Sequence, residues 1–258
     1  LETGVRELVL VSQETTAYGR DLRPPVSLGR LLSTLADPPI PPGAGPFWIR
    51  FLYGHPQGID DGLLTAVAHN AAVCSYIDIP IQHASRPVLE RMGRQYGPDD
   101  LHRLLERIRR HLPTAALRTT VIVGFPGETD ADFNRLLRFV ESERFDHLGC
   151  FVYSDAEDLP AHGLAGHVSD ATAQERYRAL MTRQRDISAD RNRRHQGRKL
   201  TVLIEEHQEE GMYTGRTEFQ APEVDGVTHV HANSLKIGSF VDVRITDTLE
   251  YDLVGTAL

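Results

Sequence analysis

The sequence predicts an α/β fold in two parts: a parallel sheet with helices outside it, a barrel or partial barrel, followed by a small antiparallel β-barrel. Three observations carry this reading. Five short apolar runs up to Tyr153 alternate with helical patterns, at intervals long enough for the crossovers that parallel strands require. Gln13, Glu14, His55, Gln82, His83, Glu128 and Ser154 all follow the ends of those runs, and in such a fold they converge on one face. Beyond Tyr153 the pattern changes to one long charged helix, and then to short strands separated by turns.

The first strand spans Glu7 to Ser12 and ends in the polar cluster Gln13-Glu14-Thr15-Thr16. Leu28, Leu31, Leu32 and Leu35 mark a short helix, and Asp37 to Pro46, rich in proline and glycine, is a surface loop. Phe47 to Tyr53 is the second strand, followed by a helix from about Ile59 to Asn70. Ser75 to Ile79 is the third strand. Ser85 then caps a short helix with Pro87 in its first turn, and a longer helix covers about Asp99 to His111.

Residues 119 to 123 form the fourth strand, whose apolar run Val121-Ile122-Val123 reads as buried on both faces. Gly124-Phe125-Pro126-Gly127 breaks it with two glycines that let the backbone turn and leave its amides open to a ligand. Thr129 and Asp132 fit a capping box, and Phe133, Leu136, Leu137 and Val140 give the next helix one apolar face. The turn lacks the lysine of a P-loop and the spacing of a dinucleotide fingerprint, so its local chemistry equally fits a βα turn with no ligand. His147 to Tyr153 is the fifth strand.

Asp170 to about Gln196 is the long helix, with Ala173, Tyr177, Leu180, Met181 and Ile187 as its buried stripe. The strands Leu200–Glu205, Met212–Thr217, Thr228–His231, Phe240–Thr246 and Leu253–Thr256 follow, so the domains are expected at 1–196 and 197–258.

Composition bounds the function. The chain has 258 residues and a net charge of −8, mildly against wrapping nucleic acid, and no apolar run long enough to span a membrane. Two cysteines, Cys74 and Cys150, make no disulfide framework and no paired-cysteine motif, which suits a reducing cytoplasm; a monomer is expected. Cys150 sits in an apolar strand and reads as a small hydrophobe, and His229 with His231 lacks a third ligand, so no metal site is assigned. The C-terminal segment carries five basic against eleven acidic residues, a net −6 that suits a basic protein better than a phosphate backbone.

Three stretches together resemble the radical SAM methylthiotransferases. They are Ser12-Gln13-Glu14-Thr15-Thr16-Ala17-Tyr18-Gly19, Tyr76 to Ser85 with Met92-Gly93-Arg94 beyond it, and Thr120 to Thr129. Ala221 to Gly226 and Glu250 to Leu253 resemble their TRAM domain. The first motif and the acidic tail look most like the branch that methylthiolates an aspartate of ribosomal protein S12. The resemblance implies S-adenosylmethionine and two 4Fe–4S clusters, with a 5′-deoxyadenosyl radical taking hydrogen from the aspartate β-carbon. It further implies that S-adenosylmethionine meets Ser12 and Gln13, Gln82 and His83, Arg118 through its carboxylate, and the loop Gly124, Phe125, Pro126, Gly127 and Glu128 through adenine and ribose.

The C-x-x-x-C-x-x-C loop and the first barrel strand of that family do not occur in this sequence, and Asp158-Leu159 stand where the family usually has Gly-Thr. The chain is therefore expected to be part of a longer enzyme, inactive alone, with its cluster ligands and catalytic cysteines outside it. Two other readings stay open: a tRNA-directed methylthiotransferase, and a non-catalytic binding module whose small β-domain does the work.

Overall fold

A computed structural model describes residues 3–37 and 45–258, so most of the proline-rich loop lies outside the described residues. Strands β1 (Glu7–Leu10) and β2 (Trp48–Phe51) pair in parallel, as do β3 (Tyr76–Asp78), β4 (Ala116–Val123) and β5 (His147–Val152). Between β2 and β3 the ladder is thin. Cys74 N donates to Ile49 O at 2.9 Å and Gly54 N to Asp78 O at 2.9 Å, which aligns the two small sheets as one parallel arc.

Helices α1 (Leu28–Ala36), α2 (Asp61–His69), α3 (Arg86–Arg91), α4 (Pro98–His111) and α5 (Asp130–Glu143) fill the crossovers. The two-residue period of the strands divides the side chains. Ile49, Phe51, Ile77, Leu117, Val121, Val123 and Leu148 enter a core shared with Leu64, Leu105, Leu136 and Val140 of the helices. The alternate residues, among them Arg50, Asp78, Arg118 and Thr120, belong to the concave face. Ile122 is only half-buried, so β4 is covered fully on one face and partly on the other, unlike the run expected to be buried on both.

The capping box forms at α5: Thr129 Oγ1 accepts from Asp132 N at 3.3 Å, and Asp132 Oδ2 accepts from Thr129 N at 3.1 Å. Ser85 precedes α3 but makes no side-chain cap. Its buried hydroxyl instead donates to Asp132 Oδ1 at 2.5 Å, a charge-assisted bond that turns it towards α5. Helix α6 (Asp170–Arg193) buries Ala173, Leu180 and Ile187 as expected, and adds a polar seam. There Gln184 Nε2 donates to Phe145 O at 2.9 Å and Ser188 Oγ to Asp146 O at 2.7 Å.

After α6 come β6 (Lys199–Glu209), β7 (Met212–Thr217), β8 (Thr228–His231), β9 (Phe240–Thr248) and β10 (Leu253–Ala257). They close a barrel in the order β10-β8-β7-β6-β9. The closing pair β8–β10 is parallel and the other four are antiparallel, which departs from the wholly antiparallel barrel expected. A ring of five strands cannot alternate in direction all the way round, so four antiparallel pairs leave the closing pair parallel.

This barrel shares its interior with the arc. Trp48, Leu52, Cys74, Tyr76 and Ala116 of the arc pack with Val202, Ile204, Phe219, Val230 and Val243. Trp48, Tyr76, Ala116 and His147 are the first residues of four successive strands, so the small barrel plugs the arc at the amino ends of its strands. His147 Nε2 meets Phe219 O at 2.8 Å there. Arg50, 1% exposed, donates to Glu7 Oε1 at 2.7 Å and to Glu218 O at 2.9 Å. Glu7 in turn receives Arg216 of β7 at 2.5 Å. No helix among the described residues is long and apolar enough to cross a membrane.

Candidate functional site

With the amino ends plugged, the carboxyl ends of β2 and β3, together with Arg118 and Thr120 midway along β4, surround a cavity of about 300 Å³. Two larger hollows, of about 680 Å³ along α4 and about 750 Å³ beside β1 and α1, lie off this axis. Position decides between them, because in α/β folds the groups that can be varied without disturbing the core sit at the carboxyl tips of the strands.

The cavity brings together Gln13, Gln82 and Arg118 of the expected residues. Gln82 has a backbone φ of +66°, a left-handed conformation that is costly for a side chain with a Cβ. It is held there from both sides: Gln82 N donates to Thr120 O at 3.0 Å, and Ile122 N donates to Gln82 O at 2.8 Å. Tyr53, one strand over, also has positive φ, at +60°, and its amide donates to Asp78 Oδ2 at 2.9 Å. Two left-handed non-glycine residues flanking one cavity are strain kept where side chains must point inward.

Arg118 is anchored through one nitrogen, while its Nε is buried without a hydrogen-bond partner. Its Nη1 donates to Asp78 Oδ1 at 3.1 Å and to Thr120 Oγ1 at 3.2 Å, and its Nε lies 3.5 Å from Asp225 Oδ1. The register of β3 against β4, which pairs Asp78 with Arg118, sets the first of these contacts. Burial pushes the Asp78 carboxyl above the usual range, against the Arg118 guanidinium and the Tyr53 amide, which favour its charged form.

The other expected residues lie elsewhere. Ser12 lines the hollow beside β1, where its Oγ is 3.4 Å from Thr15 Oγ1. His83 is fully buried behind Gln82. Its Nδ1 accepts from Ser85 N at 2.9 Å, which leaves Nε2 as the donor to Glu128 Oε1 at 3.2 Å.

The turn Gly124-Phe125-Pro126-Gly127-Glu128 does not hold out its amides as expected. Gly124 N donates to Glu128 Oε2, Gly127 N to Gly166 O at 2.7 Å, and Glu128 N to Phe125 O at 2.9 Å. Pro126 has no amide hydrogen, and Phe125 is buried edge-on against Tyr153, with ring centroids 5.1 Å apart. The reason is Glu128, whose buried carboxylate turns inward to Arg176 Nη1 at 3.1 Å and ties down the loop from within. Both glycines have positive φ, and a Cβ would come within 2.5 Å of Ala173 at Gly124 and of the Arg91 guanidinium at Gly127. These glycines serve close packing of neighbours.

His55, expected on this face, lines the cavity too, and the structure adds residues that sequence reasoning missed: Tyr53, Arg94, Thr120 and, from the small barrel, Val224. Arg94 had a signal, since Gly93 punctuates the end of a helix just before it. Val224 had none, because only the docking of the barrel brings it there.

Cys74 and Cys150 lie in different cores, and burial pushes both thiols up to about 12. Among the described residues no group of three His, Cys, Asp or Glu could hold a metal ion. These donors do not fit an iron–sulfur cluster.

A family model for the radical SAM superfamily matches residues 3–140, more than half of the chain. The chain belongs to the radical SAM superfamily. A TRAM domain model matches residues 197–258. Among curated relatives, the ribosomal protein uS12 methylthiotransferase RimO of Desulfosudis oleivorans is 52% identical over 255 residues, covering 98% of this chain and 57% of that protein. RimO of Clostridioides difficile is 43% identical over 258 residues, covering 100% of this chain and 57% of that protein. RimO of Geobacter sulfurreducens is 43% identical over 254 residues, covering 98% of this chain and 56% of that protein. This radical SAM chain thus spans little more than half the length of the relatives it matches.

Proposed function

We propose that this chain is the S-adenosylmethionine-binding and substrate-docking part of a ribosomal protein uS12 methylthiotransferase, acting in the cytoplasm. The observation that carries the reading is the cavity at the strand tips, where Gln13, Gln82, Arg94 and Arg118 meet in a chain 52% identical to a RimO. Its size falls at the lower end of ordinary small-molecule sites, roughly 300–1,000 Å³. Pro80, Phe151 and Val224 give it apolar walls for a purine, and the glutamine amides give it donors and acceptors for the polar groups.

When bound, S-adenosylmethionine supplies the hydrogen-abstracting and methyl-donating chemistry. The chain's own residues position it. Gln82, pinned in its left-handed conformation, directs its amide from the tip of β3, and Gln13 does so from the tip of β1. Asp78 holds Arg118 as a floor beneath them. The two cysteines, buried in different cores, cannot hold an iron–sulfur cluster.

With the domains taken as 1–196 and 197–258, Val224 of the acidic barrel stands in the wall of this cavity. A basic protein substrate would be drawn to the −6 surface and led to the site, whereas tRNA would be repelled. The test is mass spectrometry of uS12 and of tRNA after incubation with the complete enzyme, S-adenosylmethionine and a reductant. A methylthio group on an aspartate of uS12 is the expected result. Modification of tRNA, with uS12 untouched, would overturn it.

A further inference from the structure

The cavity contains two arginines, and the structure treats them differently. Arg118 already serves Asp78 and Thr120 through Nη1, and its Nε, though without a hydrogen bond, faces the Asp225 carboxylate at 3.5 Å. Arg94 lines the same cavity, yet among the described residues its side chain makes no salt bridge and no hydrogen bond, and its Nε is buried without a partner. Buried guanidinium nitrogens are nearly always paired, so an unpaired one beside a cavity marks a place where an acceptor arrives from outside.

The backbone puts Arg94 there by a defined device. Helix α3 ends in a Schellman motif: Gly93, at φ +71°, donates to Glu90 O at 3.0 Å, and Arg94 N donates to Leu89 O at 2.8 Å. The reversal turns Arg94 back over the strand tips. Its neighbour His55 does not compensate the charge: burial first, opposed by Glu14 and assisted by Arg94 and Arg20, holds that imidazole below its ordinary range and so neutral. The Asp78 carboxylate, bonded to two residues of the cavity lining, is taken by Arg118 and Tyr53.

We propose that Arg94 is the carboxylate-binding residue of this cavity. Its planar fork receives a ligand carboxylate, a geometry that guanidinium groups match in two parallel hydrogen bonds. Two sources carry that group: the methionyl end of S-adenosylmethionine, and the aspartate side chain of a protein substrate. The choice between them rests on the function proposed above; the carboxylate chemistry does not.

The experiment is isothermal titration of the folded chain and its Arg94→Gln and Arg94→Lys variants with three probes. These are S-adenosylmethionine, 5′-methylthioadenosine (the same adenosyl thioether without its amino-acid end) and N-acetyl-aspartate amide. Thermal melting checks that each variant is folded, and the lysine variant keeps the positive charge if glutamine proves disruptive.

If the methionyl carboxylate is the ligand, Arg94→Gln weakens S-adenosylmethionine by roughly 10- to 100-fold, Arg94→Lys by less, and 5′-methylthioadenosine binds unchanged. If the substrate aspartate is the ligand, S-adenosylmethionine is unaffected and the aspartate derivative loses its affinity. The proposal is overturned if Arg94→Gln binds both carboxylate probes as tightly as the unaltered chain, or loses S-adenosylmethionine and 5′-methylthioadenosine by the same factor. Should the unaltered chain bind neither adenosyl probe, the functional reading fails. The aspartate derivative then decides alone: Arg94-dependent binding supports the role, and its absence ends it.

Discussion

Tyr76 of the arc and Asp225 of the small barrel are joined by a hydrogen bond of 2.6 Å, in which the phenol donates to Oδ2. The other oxygen of Asp225 lies 3.5 Å from Arg118 and 3.6 Å from His147, so one carboxylate ties three strands to the turn that carries Val224. Burial, then the Asp225 charge, pushes the Tyr76 hydroxyl far above its usual range, which keeps it protonated and donating.

Tyr76→Phe removes this donor and leaves the buried Asp225 oxygen without it. A loss of about 1–3 kcal/mol in unfolding free energy is expected. Urea denaturation measures it, and an unchanged midpoint would show that the bond contributes nothing.

Gln82→Gly tests whether strain is kept for binding. Removing the Cβ from a left-handed position relieves about 1 kcal/mol, partly offset by the extra freedom of glycine when unfolded. Stability should hold or rise slightly, while affinity for S-adenosylmethionine falls. Equal losses of stability and affinity would mean that the side chain is structural.

Arg176 holds Glu128 at 3.1 Å and Asp130 at 2.7 Å from within α6. Arg176→Met leaves the Glu128 carboxylate buried with His83 alone as a charged or polar side-chain partner, at a cost of about 3–5 kcal/mol. Differential scanning calorimetry gives the loss, and proteolysis should appear first in the turn at 124–128.

His195 gives a pH dependence of known sign. It is stacked on Phe219 with centroids 5.2 Å apart, and burial, then Arg194 and Arg198, pushes its imidazole down to about 4. Below a pH of about 6.5 the unfolded chain takes up a proton that the folded one refuses. Stability is therefore complete above that pH and falls as pH drops toward 4, by up to about 1.4 kcal/mol per unit. His195→Gln should flatten this slope between about pH 6.5 and 5, above the range where ordinary carboxylates titrate. An unchanged slope in chemical denaturation would rule His195 out as its source.

Local chemistry explains what was legible in the sequence. The period-2 strands, the α5 capping box at Thr129 and Asp132, and the glycine breaks at 124 and 127 depend on neighbours a few residues away, and they appear at the expected places. The partners of side chains do not. Arg118 looked free because Asp78 and Asp225 reach it only through strand register and barrel docking. The 124–128 amides looked open because nothing local says that Glu128 folds inward to meet Arg176. Ser85 looked like a cap, and Asp132 draws its hydroxyl away.

The shared interior under Trp48, Tyr76 and Ala116 also bears on engineering. A chimaera spliced between relatives at residue 197 would join two half-matched surfaces, with foreign side chains facing Trp48 and a foreign turn facing Arg118. To transplant the C-terminal barrel with its cavity wall intact, the donor's counterparts of Glu7, Arg50 and Tyr76 would have to travel with it, so the smallest exchangeable unit is discontinuous in sequence.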